Sequence, residues 1–186
     1  EKLIREIQNY IPGNAQEAAD QALMLKLLAG EEDLSLRSSL QAHFTASAWV
    51  VSPDRKQVLM AYHNLYNSWA WLGGHADGER DLLKVALKEA REESGIAQVA
   101  PLTQMPISLE ILTVNGHEKK GKYVPSHLHL NLTYLFEGDP KVPIRIKEDE
   151  NSRVGWIRAD EIGEKSTEPW FIERIYKKLT EKVNSL

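Results

Sequence analysis

Residues 73–96 read GGHADGERDLLKVALKEAREESGI, a Gly-Gly turn running into a helical segment that carries Glu89, Glu92 and Glu93. At about 100° per residue, the three glutamates fall within an arc of about 100° on one helix face. Lys84, Lys88 and Arg91 gather on a second arc. Leu83, Ala86, Leu87, Ala90 and Ser94 make a third stripe, small and mostly apolar, suited to packing inward. Glu89 stands at i,i+3 and i,i+4 from Glu92 and Glu93, spacings at which like charges each cost roughly 0.2–0.5 kcal/mol on an exposed helix. A hard divalent cation turns that repulsion into ligation, because Mg²⁺ takes carboxylate and phosphate oxygens. The plain alternative is a solvated amphipathic helix of mixed charge. Segregation of the acids from the bases argues against it, as does a glycine turn that lets backbone approach a ligand closely.

The stretch resembles the Nudix box, G-x5-E-x7-R-E-U-x-E-E-x-G-U, where U is a bulky aliphatic residue. Glu89, Glu92, Glu93, Gly95 and Ile96 fit its second half, with Ala90 at an aliphatic position and Lys88 where the pattern has Arg. Counting back from Gly95 puts the leading glycine at Gly74 and leaves Arg80 where a Glu is expected. Counting forward from Gly73 places Glu79 correctly but leaves eight residues before Lys88 instead of seven. Loop and helix are thus offset by one residue. Asp81 still reads as the helix N-cap ahead of Leu82 and Leu83.

The resemblance implies Mg²⁺- or Mn²⁺-dependent hydrolysis of a nucleoside diphosphate derivative, with water attacking a phosphorus of the diphosphate. It implies Glu89, Glu92 and Glu93 as metal ligands, Glu93 foremost, with Glu89 also able to serve as base. A backbone carbonyl at Gly73 or Gly74 can complete the shell. Glu150, in the segment KEDENS, is a further candidate ligand or general base; an exposed loop acid beside Glu148 and Asp149 is the alternative. Lys88 takes the place of the orienting Arg without its bidentate fork, and Glu79 is its expected partner.

Outward from this stretch, residues 2–10 and 14–29 read as amphipathic helices broken at Pro12-Gly13. The run 43–53 is β-branched and aromatic, 57–62 reads as its hairpin partner, and 69–72 leads into the glycine turn. Past the helix come strands at 107–115, 127–137 and 153–157, and then a closing helix over 169–183. The expected fold is α/β, a Nudix-type α/β/α sandwich around a mixed β-sheet. Residues 1–42 form an N-terminal helical extension, 43–162 the Nudix domain and 163–186 a C-terminal helix packed on it.

Composition sets bounds on function. The chain has 186 residues, enough for one domain with a real core. A net charge of −4 supplies no basic field for a long nucleic acid. The absence of cysteine removes thiolate metal sites, disulfides and thiol nucleophiles, and with them the related isopentenyl-diphosphate isomerase chemistry. No apolar run approaches 20 residues and no signal-peptide core opens the sequence, so a cytoplasmic protein without a membrane partner is expected. A homodimer stays open.

Among the six histidines, His75 in the glycine turn is the one best placed near phosphates. His127 and His129 share one side of a strand, where they can line a pocket, act as a zinc pair or simply pack; no other metal-spaced His or Cys accompanies them in sequence. His43 and His63 flank the first hairpin, and His117 reads as part of an exposed basic loop. Trp69 and Trp71 share a face, available for stacking a base or for the core. The expected substrate contacts are therefore Gly73, Gly74, His75, Trp71, His127 and His129. A Nudix-fold binding module or sensor without catalysis is the competing reading, motivated by Arg80, Lys88 and the offset.

Overall fold

A computed structural model of the chain describes residues 2–64, 66–119, 121–148 and 151–186. Helix α1 spans Lys2–Asn9 and α2 spans Ala15–Leu28, the latter capped by the Asn14 side chain accepting from the Glu17 N–H. Strands β1 (Ala42–Val51), β2 (Gln57–His63), β3 (Ser68–Ala70) and β4 (Leu72–His75) precede helix α3 (Leu82–Ser94). Then follow β5 (Val99–Pro101), β6 (Ser108–Val114), β7 (His117–Lys119), β8 (Lys122–Val124), β9 (His127–Gly138) and β10 (Asn151–Arg158). A short helix α4 (Ile162–Lys165) leads to the closing helix α5 over 169–184, which carries one π turn at Ile172–Tyr176.

Eight of these strands form one sheet ordered β10-β2-β1-β9-β5, with β3 on β2, β4 on β1 and β6 on β9. The long central pair β1 and β9 is parallel over ten rungs, from Ala42↔Leu128 to Val51↔Glu137. Every other pairing in the sheet is antiparallel, which makes it mixed. All ten residues of β1 are buried, as a central strand covered on both faces requires.

Strand alternation divides the core in two. Phe44, Ala46, Ala48 and Val50 of β1 pack with Leu82, Ala86 and Ala90 of α3 and with Ile7 and Met24 of the N-terminal helices. Trp49 and Val51 point the other way, into a second cluster with Ile175, Tyr176 and Leu179 of α5. The result is an α/β/α sandwich in which residues 2–28 belong to the same core as the sheet.

Three departures from the sequence reading have a common origin in pairing. The glycine turn begins as a strand: β4 pairs with β1 from Ala48↔Leu72 to Thr45↔His75. Glycines are weak strand formers, so only the partner ladder makes this segment extended. The stretch 115–122 reads in sequence as an exposed basic loop; His117–Lys119 instead pairs with Lys122–Val124 as strands β7 and β8. The first hairpin is brief, with β2 meeting β1 only at Val50↔Leu59 and Val51↔Val58 before β4 takes over the same edge.

A buried ionic network joins α2, β6 and α5. Glu17 accepts from Lys182 at 2.6 Å and lies 3.0 Å from Lys178, which also bonds Glu110 at 2.9 Å. The Glu17 and Glu110 carboxylates are fully buried. From Glu110 the network runs to Asn131, whose Oδ1 accepts from Thr45 at 2.9 Å and Ser47 at 3.0 Å. Burial alone raises the pKa of Glu17, but Lys182, the Gly13 N–H and Lys178 outweigh it and bring it down to about 2.

Candidate active site

The site is built where α3 crosses β4. The Gly73 N–H donates to Glu93 Oε2 at 3.0 Å, so strand backbone holds one carboxylate directly. Gly74 lies beneath Glu89 so closely that a Cβ there would stand 2.5 Å from the Glu89 carboxyl carbon. A Cβ on Gly73 would meet the Ala46 carbonyl at 2.6 Å. Gly74 therefore lets a helix bearing buried acids sit against the strand, and Gly73 lets β4 lie close on β1. Gly73→Ala clashes with backbone and is expected to cost about 1–3 kcal/mol of stability. Gly74→Ala should instead displace the Glu89 carboxylate, and a shift of that size reduces kcat by roughly 10²-fold. Thermal melts alongside turnover measurements separate the two effects.

Glu89 and Glu93 are both buried, at 8% and 9% exposure, whereas the Glu92 side chain is 43% exposed. Burial pushes the Glu89 pKa up, against the pull of Lys88, whose ammonium lies 3.3 Å away. Lys88 also reaches Glu92 at 3.6 Å, and Lys147 reaches the same carboxylate at 3.8 Å. Glu79 is not the partner of Lys88: its Oε1 accepts from the Asp81 N–H at 2.8 Å. Lys88 and Glu89 are sequence neighbours on the helix rim, and the short lysine reach is spent there. Asp81 does stand at the N-cap position, but its carboxylate bonds Lys2 at 2.7 Å and makes no cap bond.

The offset loop is fastened by a segment the sequence left unassigned. Asp77 and Gly78 adopt φ of 48° and 92°, the left-handed turn that shortens the path from β4 to α3. Arg37 grips Asp77 with two hydrogen bonds, Gly78 N donates to the Ser35 carbonyl at 2.9 Å, and Arg80 reaches Asp33 at 3.1 Å. Arg80, standing where the box has Glu, is thus a tether for the loop.

On the other face of β4 lies a cluster of imidazoles. His43 pairs with His129 across β1 and β9, and His75 stands one side-chain rung away on β4. Their ring centroids are 4.9–5.3 Å apart. His127 stacks on His43 at 4.8 Å, and its Nε2 is 3.1 Å from Nε2 of His129. Burial, reinforced by Arg37 and His43, holds the His75 pKa down to about 3. Burial and then His75 bring His129 down to about 2. Both rings are neutral at any ordinary pH.

A sequence model of the NUDIX domain matches residues 42–179. The chain belongs to the NUDIX family. No curated protein matches the chain. Among solved structures, a Nudix hydrolase from M. smegmatis, RenU, is similar at TM-score 0.57 and 14% identity, covering 84% of this chain and 97% of its own. A C. elegans Ap4A hydrolase binary complex gives 0.54 and 15%, covering 77% and 98%. The NUDIX domain of Shewanella oneidensis NrtR, complexed with ADP ribose, gives 0.51 and 14%, covering 97% and 96%. At these identities the likeness speaks for the fold.

Within this Nudix domain, the residues expected at the site separate into groups. Glu89, Glu93, Gly73 and Gly74 come together, with Glu92 on the rim. His75, His127 and His129 gather with one another and with His43, which no sequence spacing links to the strand pair. Only the β1–β4 and β1–β9 pairings make these four neighbours. Trp71 packs edge-on to Phe171 and Tyr176, and its N–H donates to the Tyr176 hydroxyl at 3.4 Å. Glu150 lies outside the described residues. On either side of it, Lys147 reaches Glu92 and Asn151 Nδ2 donates to the Glu93 carbonyl at 3.1 Å. Sequence reasoning missed Asn151 as a support of α3, although its place beside Glu150 in KEDENS was the available signal.

Proposed function

We propose that this protein hydrolyses the diphosphate linkage of a nucleoside diphosphate derivative in a Mg²⁺- or Mn²⁺-dependent reaction, water attacking phosphorus. The observation that carries this reading is the pair of buried carboxylates, Glu89 and Glu93, seated on the Gly73–Gly74 strand. Two such acids, one with a raised pKa, form an all-oxygen donor set that gains most from a hard cation. Glu89, Glu92 and Glu93 would hold it, Glu89 and Glu93 from buried positions and Glu92 from the exposed rim. When bound, such an ion offsets phosphate charge and lowers the pKa of water.

The chain's own groups divide the remaining work. The Gly73 N–H fixes the Glu93 carboxylate in place, and Asn151 anchors the turn of helix from which it projects. Glu89, more basic than an exposed glutamate, is the proposed proton acceptor, with Glu150 as the proposed second base or ligand. Gly73 and Gly74 offer backbone to the diphosphate; His75, His127 and His129 lie on the opposite face of β4 and Trp71 packs against α5, so none of the four is given a substrate contact. We assign residues 43–162 to the catalytic domain, with 1–42 and 163–186 as its helical additions. A small-molecule substrate, a cytoplasmic setting and an optional homodimer complete the reading. Among the described residues, no helix is long and apolar enough to cross a membrane.

A panel of nucleoside triphosphates, dinucleoside polyphosphates and nucleotide sugars, assayed with Mg²⁺ and Mn²⁺, tests the proposal. Turnover of at least one member that stops on chelation is expected; inertness across the panel would sink it. One observation favours a binding module instead: Lys88 bridges Glu89 and Glu92 and offsets one of their two charges without a metal. Calorimetry decides, since a sensor binds its nucleotide equally well without Mg²⁺ and leaves it intact.

A further inference from the structure

The imidazole cluster on the far face of β4 has the composition and arrangement of a second, chemically different metal site. Among the described residues, one ring nitrogen from each of His43, His75 and His129 lies within 4.8 Å of the others. Each comes from a different strand, β1, β4 and β9, so the sheet itself fixes the set. His127 adds a fourth nitrogen from β9.

Their hydrogen bonds define which nitrogens are free to ligate. His43 Nδ1 faces the Ser39 carbonyl at 3.1 Å. A carbonyl only accepts, so the proton is on Nδ1 and the lone pair on Nε2. That Nε2 is buried without a hydrogen-bond partner, on a residue only 4% exposed. His127 repeats the tautomer, with Nδ1 at 2.8 Å from the Pro125 carbonyl, so its Nε2 carries the lone pair and accepts from His129 Nε2 at 3.1 Å. Imidazoles oriented by a carbonyl on one nitrogen, with the other bare, are the usual state of metal-ligating histidines. The 3.1 Å between Nε2 of His127 and Nε2 of His129 is close to the ligand separation of about 3.3 Å set by tetrahedral bonds of about 2.0–2.1 Å.

We propose that His43, His75 and His129, with His127 completing the shell, bind a divalent transition-metal ion of the zinc class at a site separate from the carboxylates. Nitrogen-only donors select zinc, copper or nickel over Mg²⁺. Successive strand residues point to opposite faces, so His75 and Gly74 place the two sites back to back across β4. An ion on His75 would fasten the strand that carries Gly73 and Gly74 to β1 and β9, fixing the seat of Glu89 and Glu93.

The test reads the metal alone and is independent of any substrate. The 186-residue chain, stripped with chelator and then held in millimolar Mg²⁺, is titrated with Co²⁺ and afterwards with Zn²⁺. One equivalent of Co²⁺ should bind with the visible absorption of four-coordinate cobalt, and Zn²⁺ should displace it. His43→Gln and His129→Gln should each weaken binding by at least about 10–100-fold, while Glu93→Gln keeps it. No stoichiometric binding in Mg²⁺, or binding that survives both histidine changes and disappears with Glu93→Gln, overturns the proposal. Should the histidine variants lose their circular-dichroism signature, crystals of the wild-type chain grown with Zn²⁺ decide it. An anomalous peak among the imidazoles supports the site, and a peak only at the glutamates or none at all refutes it. Failure here leaves the hydrolase reading intact, because that rests on Mg²⁺-dependent turnover.

Discussion

Glu93→Gln is expected to reduce hydrolysis of a competent substrate by about 10²–10³-fold or more in kcat, the scale on which one electrostatic contact to a reacting phosphate is lost. The substitution is nearly isosteric, and its amide oxygen can still accept the Gly73 N–H that Glu93 accepts at 3.0 Å. Stability should therefore change little while the charge that faces a cation is gone. Glu92→Gln should be milder, since that carboxylate is half-exposed and shared with Lys88 and Lys147. Steady-state kinetics with a Mg²⁺ titration checks both variants: Glu93→Gln should need more metal as well as turn over more slowly. Equal, small effects for the two would mean that the buried pair is not the metal seat.

Glu17→Gln should cost about 3–5 kcal/mol of folding stability, the penalty for removing one partner from a buried ion pair. The side chain has no exposure, and its loss leaves Lys182 and Lys178 facing an uncharged amide in the core. The sign of the pH dependence follows from the depressed pKa. Against the cost of burial, Lys182, the Gly13 N–H and Lys178 hold the folded Glu17 carboxyl down at about 2, below the ordinary carboxylate range. Its contribution is complete above the unfolded value and is lost as pH falls toward the folded one. The gap between wild type and Glu17→Gln should thus narrow by about 2 kcal/mol from pH 7 to pH 3. Denaturant melts at the two pH values measure it, and a gap that does not change would show that the lysines do not hold this carboxylate.

Much of this protein was legible before any coordinates. Periodicity found α1, α2, α3 and the long strand β9, because regular elements repeat their apolar residues at the period of their own geometry, and β-branched and aromatic composition found β1. The three glutamates were legible for the same reason. Their spacing is a property of one helix, and no distant residue is needed to bring them together. Where the reading faltered, the deciding partner was far away in sequence. Strand β4 contains two glycines and gains its extended form from β1. Lys88 chose adjacent carboxylates over Glu79 once the loop was drawn down by Arg37, Ser35 and Asp33.

By itself, then, the sequence determined the helix that bears the acids, the α/β class and the chemistry that a run of segregated glutamates behind a glycine turn can support. Those follow from local periodicity and charge, which one segment carries entire. Only the tertiary structure decided that Glu89 and Glu93 are buried on a glycine strand, that Glu17 and Lys182 close a core ion pair, and that His43, His75, His127 and His129 meet. The meeting of the imidazoles depends on the register between strands 86 positions apart, such as that of Thr45 and Asn131, and the core ion pair joins helices 165 positions apart. Register is fixed by burying one face of each strand against the rest of the fold.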